Sequence, residues 1–169
     1  MKTARSSIVP GAGYRIEEIA LSALARHHPI VRLETYWQRM RGDRALPSRA
    51  DLDPLDIERD LLPWLFLLDV LRTDAGLDYH YRLVGTGNVQ LVGRDATGRR
   101  ASELFDEDSR RFVLSSFDET VHRRAPTYWQ AVVPNDTFEQ VAVQRGLFPL
   151  SGDGSKVDML FCIAVHRRR

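Results

Sequence analysis

Residues 79–105 read YHYRLVGTGNVQLVGRDATGRRASELF, and the order of elements that this segment predicts is the most informative feature of the chain. A strand-like run reaches Val84 and enters the glycine-rich turn at 85–87. A short apolar helix follows and ends near Gly93, because glycine readily adopts the left-handed conformation that terminates helices. A strand-like run precedes the stretch, and a long helix and three more strand-like runs follow it. This order predicts a sheet with helices inserted between its strands.

The strand-like runs have the residue alternation and the flanking turns that are typical of β-structure. The run at 61–71 is apolar throughout, as expected of a strand buried on both faces. The next run alternates and forms a hairpin with it, with Leu77, Tyr79, Tyr81 and Leu83 on one face. Further strands are predicted over 127–133, 139–147 and 157–166, after a helix over 108–124. We therefore predict an α+β fold with a five-stranded antiparallel sheet and helices on one face.

Two helices are predicted before the sheet. The first, over 14–26, has these apolar residues at helical spacing: Ile16, Ile19, Ala20, Ala23 and Leu24. The second begins at Pro29, because proline suits the first helical turn, and ends at Gly42. Its apolar stripe consists of Ile30, Leu33, Trp37 and Met40. After a connector at 46–51, Asp53 and Pro54 open a short capped turn. We expect the N-terminal helices to cover the second face of the sheet.

The chain is predicted to have three segments. Residues 1–28 form an extension with an interaction helix, and its first 13 residues have no period and are expected to be disordered or tag-like. Residues 29–60 form the flanking helix and connector, and residues 61–169 form the sheet domain. The apolar stripe of the first helix has no partner within the chain. We expect it to pair with a second copy by two-fold symmetry, or with an effector protein.

Composition restricts the class of protein. The 169 residues carry a net charge of +1, from 24 basic and 23 acidic side chains. That balance argues against a nucleic-acid-binding domain, which needs a one-sided basic surface. A single cysteine, Cys162, excludes an internal disulfide, and we interpret it as a small buried residue. No apolar run is long enough to span a membrane and no signal peptide begins the chain, so we expect a cytoplasmic protein.

Two glycine-containing motifs resemble nucleotide-binding loops but lack the required residues. In the first, at 85–90, Gln90 stands where a dinucleotide fingerprint needs its third glycine. In the second, at 93–100, Arg99 and Arg100 replace the lysine and hydroxyl residues of a phosphate loop. The first motif is better explained as a tight turn that needs small residues.

Several short motifs together resemble the PAS domain family, specifically its short single-domain members common in alphaproteobacteria. These are WQRMRG at 37–42, LPSRADLDP at 46–54, LLP at 61–63, YRLVGT at 81–86 and GRD at 93–95. The resemblance covers about residues 31–166. It implies a bacterial signalling sensor that binds a small apolar or amphipathic ligand, a protein partner, or both. The fold uses up the chain, so we expect no attached catalytic or DNA-binding segment and no membrane or nucleic-acid partner.

Candidate ligand-binding residues come from the long helix and from the strands that it would face in such a fold. Trp129 has two interpretations: it packs in the core, or it forms an aromatic wall of a small-molecule pocket. The predicted set is Leu83, Val113, Phe117, Val121, Trp129 and Phe161.

No cofactor, metal or catalytic residue is predicted. Flavin-binding light sensors of the PAS class have a reactive cysteine shortly after a Gly-Arg pair, and Ala96 stands at about that position here. Haem-binding members take a histidine from the long helix, but His122 lies about 100° from the apolar stripe and should face solvent. The scattered histidines have no spacing that suits zinc.

Two functions remain as alternatives. The first is a non-catalytic sensor, as the resemblance implies. The second is a small enzyme with a cone-shaped α+β fold, of the isomerase or dehydratase kind, which would need an inward Asp–His pair. The interruption of the strands by helices favours the sensor.

Overall fold

A computed structural model of the protein describes residues 7–8, 15–105, 107–134 and 140–167. The sheet is antiparallel throughout, with strand order β1-β2-β5-β6-β7-β3-β4. Its strands are β1 (Ser7–Ile8), β2 (Arg15–Glu18), β3 (Leu65–Thr73), β4 (Gly76–Val84), β5 (Thr127–Pro134), β6 (Gln140–Leu150) and β7 (Met159–His166). The α+β class and the antiparallel sheet are confirmed. The five predicted strands form its larger part, and β1 and β2 extend it at one edge.

The hairpin of β3 and β4 forms as predicted, and its turn lies at 74–75. Strand β3 begins at Leu65 rather than Leu61, because residues 62–64 form a 3-10 turn that includes Pro63. Residues 65–68 are all buried, as expected of a strand covered on both faces.

A β-bulge in this hairpin changes the direction of Leu83. Leu67 pairs with Leu83 but Leu68 pairs with Tyr81, so Arg82 is an extra residue in β4. One extra residue moves the following side chain to the opposite face of the sheet. The prediction that Leu83 shares a face with Tyr81 is therefore wrong, and the Leu83 side chain is 47% exposed.

The predicted helix over 14–26 is also wrong. Residue 14 lies outside the described residues, and residues 15–18 form β2, which pairs with β5. Ile16 lies opposite Ala131 and is buried, and a 3-10 turn follows at Leu21–Ala23. Hydrogen bonding to the open edge of β5 replaces the helical arrangement, so the proposed dimer-forming stripe does not exist. The predicted disorder of residues 1–13 falls mainly outside the described residues.

The second N-terminal helix is confirmed as α1 (Pro29–Arg41). His28 caps it by accepting a 3.2 Å hydrogen bond from the backbone N–H of Ile30, and Gly42 ends it with φ of 55°. The buried Trp37 donates its indole N–H to the Pro149 carbonyl at 3.0 Å and packs against Phe148. Helix α1 thus covers one face of β6 and β7, as predicted.

The opposite face of the sheet is covered by α2 (Thr86–Val92), α3 (Ala101–Leu104) and α4 (Glu107–Arg123). Gly85, at the start of α2, needs its small size: an added Cβ would overlap the Pro63 carbonyl oxygen. The glycine-rich turn therefore serves close packing, as interpreted from the sequence. No helix in the described ranges is long and apolar enough to cross a membrane.

Candidate ligand-binding cavity

A cavity of about 150 Å³ lies between the sheet and helices α2, α3 and α4. The strands contribute one inward-facing set of residues, because directly opposite residues of an antiparallel pair share a face. This set is Phe66, Tyr81, Val84, Val143, Arg145 and Ala164.

The helices and the loop after α2 complete the wall. Their apolar lining residues are Leu91, Val92, Leu104, Phe105, Val113 and Phe117. Asn88 also lines the cavity, and its side-chain amide donates a 2.5 Å hydrogen bond to the Trp64 carbonyl, which fixes α2 to the start of β3. Such a cavity, mostly apolar with a few polar groups, is the common form of a small-molecule site.

The structure brings together only part of the predicted ligand-binding set. Val113 and Phe117 line the cavity. Val121 and Trp129 are buried but outside the lining residues. Whether any of these residues contacts a ligand stays a prediction.

Two predicted residues lie on the other face. The bulge turns Leu83 away, and Phe161 pairs with Leu67 and packs against Tyr36 of α1. The alternation of β7 correctly predicts which residues share a face with Phe161. The face that meets the cavity is known only from the order of the strands in the sheet.

Arg145 is the lining residue that the sequence analysis missed. It lies in β6 directly between Trp129 of β5 and Ala164 of β7, and only 8% of it is exposed. Its guanidinium lies over the Phe117 ring, 5.6 Å from the centroid, and one of its N–H groups reaches the Ser116 hydroxyl oxygen at 3.4 Å. The sequence does contain a signal for this residue. Val143, Arg145 and Leu147 are alternate residues of β6 whose side chains face inward, and Arg145 is the charged one among apolar neighbours.

A second arginine, Arg94, lies at the rim. It is exposed and its guanidinium lies 5.4 Å from the centroid of the Phe105 ring. The two cationic groups therefore differ in environment: Arg94 is solvated, whereas Arg145 is removed from water. Ala96, the position expected to lack a reactive thiol, also lines the cavity.

Buried polar contacts hold the walls in place. The Thr120 and Thr127 hydroxyls lie 2.6 Å apart and link α4 to β5, and the Trp129 indole N–H donates to the Thr127 hydroxyl at 2.8 Å. Asp78 accepts hydrogen bonds from the hydroxyl and the backbone N–H of Ser102, which fix α3 to β4. Burial opposes ionisation of Asp78, but these hydrogen bonds outweigh it and lower its pKa.

Other reactive side chains lie away from the cavity. An Asp–His pair exists, since Asp69 and His80 are 2.9 Å apart, but Arg82 shares the carboxylate and none of the three lines the cavity. This pair is not the inward Asp–His pair that the enzyme alternative needs, because neither residue faces the cavity. Cys162 is buried, and burial raises the pKa of its thiol.

Among the described residues, the cavity lacks the cysteine of a flavin photosensor and the histidine of a haem site. No thiol stands at position 96, and His122 is exposed to solvent. Among the described residues, no three His, Cys, Asp or Glu side chains could hold a metal ion.

The fold is similar to that of known light receptors. The crystal structure of the photo-excited blue-light photoreceptor Vivid is 10% identical, with a TM-score of 0.50, and the match covers 79% of this chain and 94% of that one. A fungal LOV domain photoreceptor is 13% identical, with a TM-score of 0.49 and coverage of 88% and 95%. An RNA-binding light-oxygen-voltage receptor is 12% identical, with a TM-score of 0.43 and coverage of 94% and 40%.

Sequence comparison gives the family directly. No curated protein matches the sequence significantly. The family profile described as "PAS domain" matches residues 25–164, which include α1, the central strands and every helix around the cavity. The chain therefore belongs to the PAS domain family.

Proposed function

We propose that this PAS protein is a bacterial, cytoplasmic signalling component that binds a small, mainly apolar ligand between its sheet and helices α2–α4. The observation that carries the proposal is the cavity itself. An apolar cavity of about 150 Å³ is large enough for a benzene-sized molecule. The family and the fold support a sensor, and the grouping with short alphaproteobacterial PAS proteins is part of the proposal.

The signal would pass to a protein partner. Helices α2, α3 and α4 form one wall of the cavity, so an occupant contacts helices that also present outer surfaces. A ligand can shift a conformational equilibrium only by binding one state more tightly than the other. We therefore propose that occupancy changes the packing of these helices on the sheet and, with it, partner binding or self-association.

Catalysis is not part of the proposal. The cone-shaped enzyme alternative needed an inward Asp–His pair, and the Asp69–His80 pair lies outside the cavity. No arrangement of a nucleophile and a base lines the cavity among the described residues.

The proposal is tested by filling the cavity. Ala164→Leu adds bulk at a lining position in β7, whereas Ala142→Leu makes the same change on the opposite face of β6. Compounds that co-purify with each variant are identified by mass spectrometry, and benzyl alcohol is used as a probe in thermal denaturation. We expect wild type and Ala142→Leu to be stabilised by the probe, and Ala164→Leu to lose that response while staying folded. A wild-type protein that carries no compound and does not respond to the probe would contradict the proposal.

A further inference from the structure

Arg145 is a charged side chain in a mainly apolar cavity, and no carboxylate of the described residues pairs with it. Its Nε atom has no hydrogen-bond partner among the described residues. Its contact with the Ser116 hydroxyl is long, at 3.4 Å. No ion pair of the described residues includes it.

The surroundings offer little compensation for this burial. The groups that face Arg145 are Phe117 and Ser116 of α4, Trp129 of β5, Ala164 and Cys162 of β7 and Tyr81 of β4. None of them is a carboxylate. Burial lowers the pKa of Arg145, yet a guanidinium stays protonated in proteins. Removing such a charge from water is strongly unfavourable unless an anion pairs with it.

We infer that Arg145 binds the carboxylate of a small monoanionic acid whose apolar body occupies the cavity. This inference rests on the proposed function and specifies the chemical class of the ligand. An aromatic or short branched-chain acid fits the description, because a cavity of about 150 Å³ holds a body of benzene size.

A carboxylate suits Arg145 better than other anions do. The guanidinium presents parallel N–H groups that match the two oxygens of a carboxylate in one plane. One buried cation is neutralised by one negative charge. A phosphate monoester, which carries close to two charges, would leave an uncompensated charge in an apolar wall.

The test compares two probes of the same size that differ in charge. Benzoate and benzyl alcohol share the aromatic ring, but only benzoate has a carboxylate. Binding is measured by calorimetry and by the rise in melting temperature for wild type, Arg145→Met, Arg145→Lys and Arg94→Gln. Met removes the charge and keeps an unbranched apolar chain, and Lys keeps the charge without the planar fork. Arg94→Gln removes the cation at the rim.

We expect wild type to bind benzoate at least roughly tenfold more tightly than benzyl alcohol, as a charge-assisted hydrogen-bond pair provides. Arg145→Met should lose that preference and still bind benzyl alcohol, Arg145→Lys should keep part of it, and Arg94→Gln should change it less than threefold. Replacing an unpaired buried charge by an apolar group is often neutral or stabilising, so Arg145→Met should fold.

Three results would overturn the inference. If wild type bound the two probes with equal affinity, the proposed ligand-binding function would stand, but the proposed role of Arg145 in binding a carboxylate would be wrong. Unchanged benzoate affinity in Arg145→Met, or a larger loss in Arg94→Gln, would place the anion elsewhere. Failure of both probes to bind wild type would contradict the proposed function as well. The first and third results are measured on wild type alone, so they can be obtained even if a variant does not fold.

Discussion

The hydroxyl of Tyr79 donates a 2.6 Å hydrogen bond to the carboxylate of Asp118. Tyr79 is fully buried in β4, and its ring packs edge-on against Phe117 of α4, with centroids 5.2 Å apart. The hydrogen bond and the ring contact together fix α4 to β4 beside the cavity. Burial is the largest influence on Asp118 and raises its pKa, although the hydrogen bond from Tyr79 acts in the opposite direction.

This raised pKa predicts a pH-dependent stability. The folded state holds the Asp118 proton more tightly than the unfolded state does, so protonation of Asp118 stabilises the fold. This contribution to stability is complete below the ordinary pKa of 3.8 and is lost as pH rises through the raised pKa. Asp118→Asn removes the titrating group and keeps an oxygen that can accept from Tyr79. The melting temperature of Asp118→Asn minus that of wild type should therefore increase between about pH 4 and pH 7. Asp74→Asn, in an exposed turn, controls for the substitution, and a difference that falls with pH would contradict the assignment.

Gly85 is predicted to be required for close packing. Its φ of −65° is ordinary, so conformational strain is not the reason. A Cβ at this position would overlap the Pro63 carbonyl oxygen, and backbone cannot move as a flexible side chain can. Gly85→Ala should lower the free energy of unfolding by about 1–3 kcal/mol in urea denaturation. Thr86→Ala, at the exposed neighbouring position, should change it by less than about 0.5 kcal/mol. Equal effects of the two variants would show that the turn can adjust.

A substitution at Ile16 tests whether this segment is the strand β2 or the helix that the sequence pattern indicated. In the structure it is buried opposite Ala131 within the same chain. Ile16→Ala should therefore destabilise the protein itself, by about 2–5 kcal/mol, and Arg15→Ala, at an exposed position, should not. Both variants are compared by thermal denaturation and light scattering. If Ile16→Ala changed only the association state, the dimer-forming interpretation would return.

Trp129 is predicted to be a core residue rather than a wall of the cavity. It is 9% exposed, and its indole N–H donates to the Thr127 hydroxyl. Trp129→Ala should cost about 3–5 kcal/mol of unfolding free energy. Trp129→Phe keeps much of the apolar volume and should cost less, with about 1 kcal/mol from the lost hydrogen bond. Denaturant titration measures both, and a Trp129→Ala variant as stable as wild type would show that the side chain is not in the core.

The protein should be colourless. Ala96 provides no thiol for cysteinyl–flavin chemistry. The exposed His122 does not face the cavity, so it is not placed to ligate a haem there. Protein purified from cells supplied with haem and riboflavin should show only the aromatic absorption band. A Soret or flavin band of near-stoichiometric intensity would contradict this prediction.

Local chemistry determined much of the fold. Helix α1 begins at Pro29 and ends at Gly42 because proline and glycine act on their own backbone. The capped turn at Asp53 forms for the same reason, since its side chain accepts from the Leu55 N–H at 2.9 Å. The central strands follow from alternation and turn residues. These features depend on contacts a few residues apart, which the sequence displays directly.

The remaining features depend on contacts between distant parts of the chain. Residues 15–18 have helical spacing with those that follow, but pairing with the distant strand β5 satisfies their backbone hydrogen bonds and makes them a strand. The direction of Leu83 depends on one extra residue in β4, which alternation alone does not reveal. The sequence displays Arg145 at an inward position of β6, but its burial away from every carboxylate of the described residues arises only when β5, β7 and α4 surround it. Which charges are removed from water depends on all the elements that meet at one place, and no local pattern contains that information.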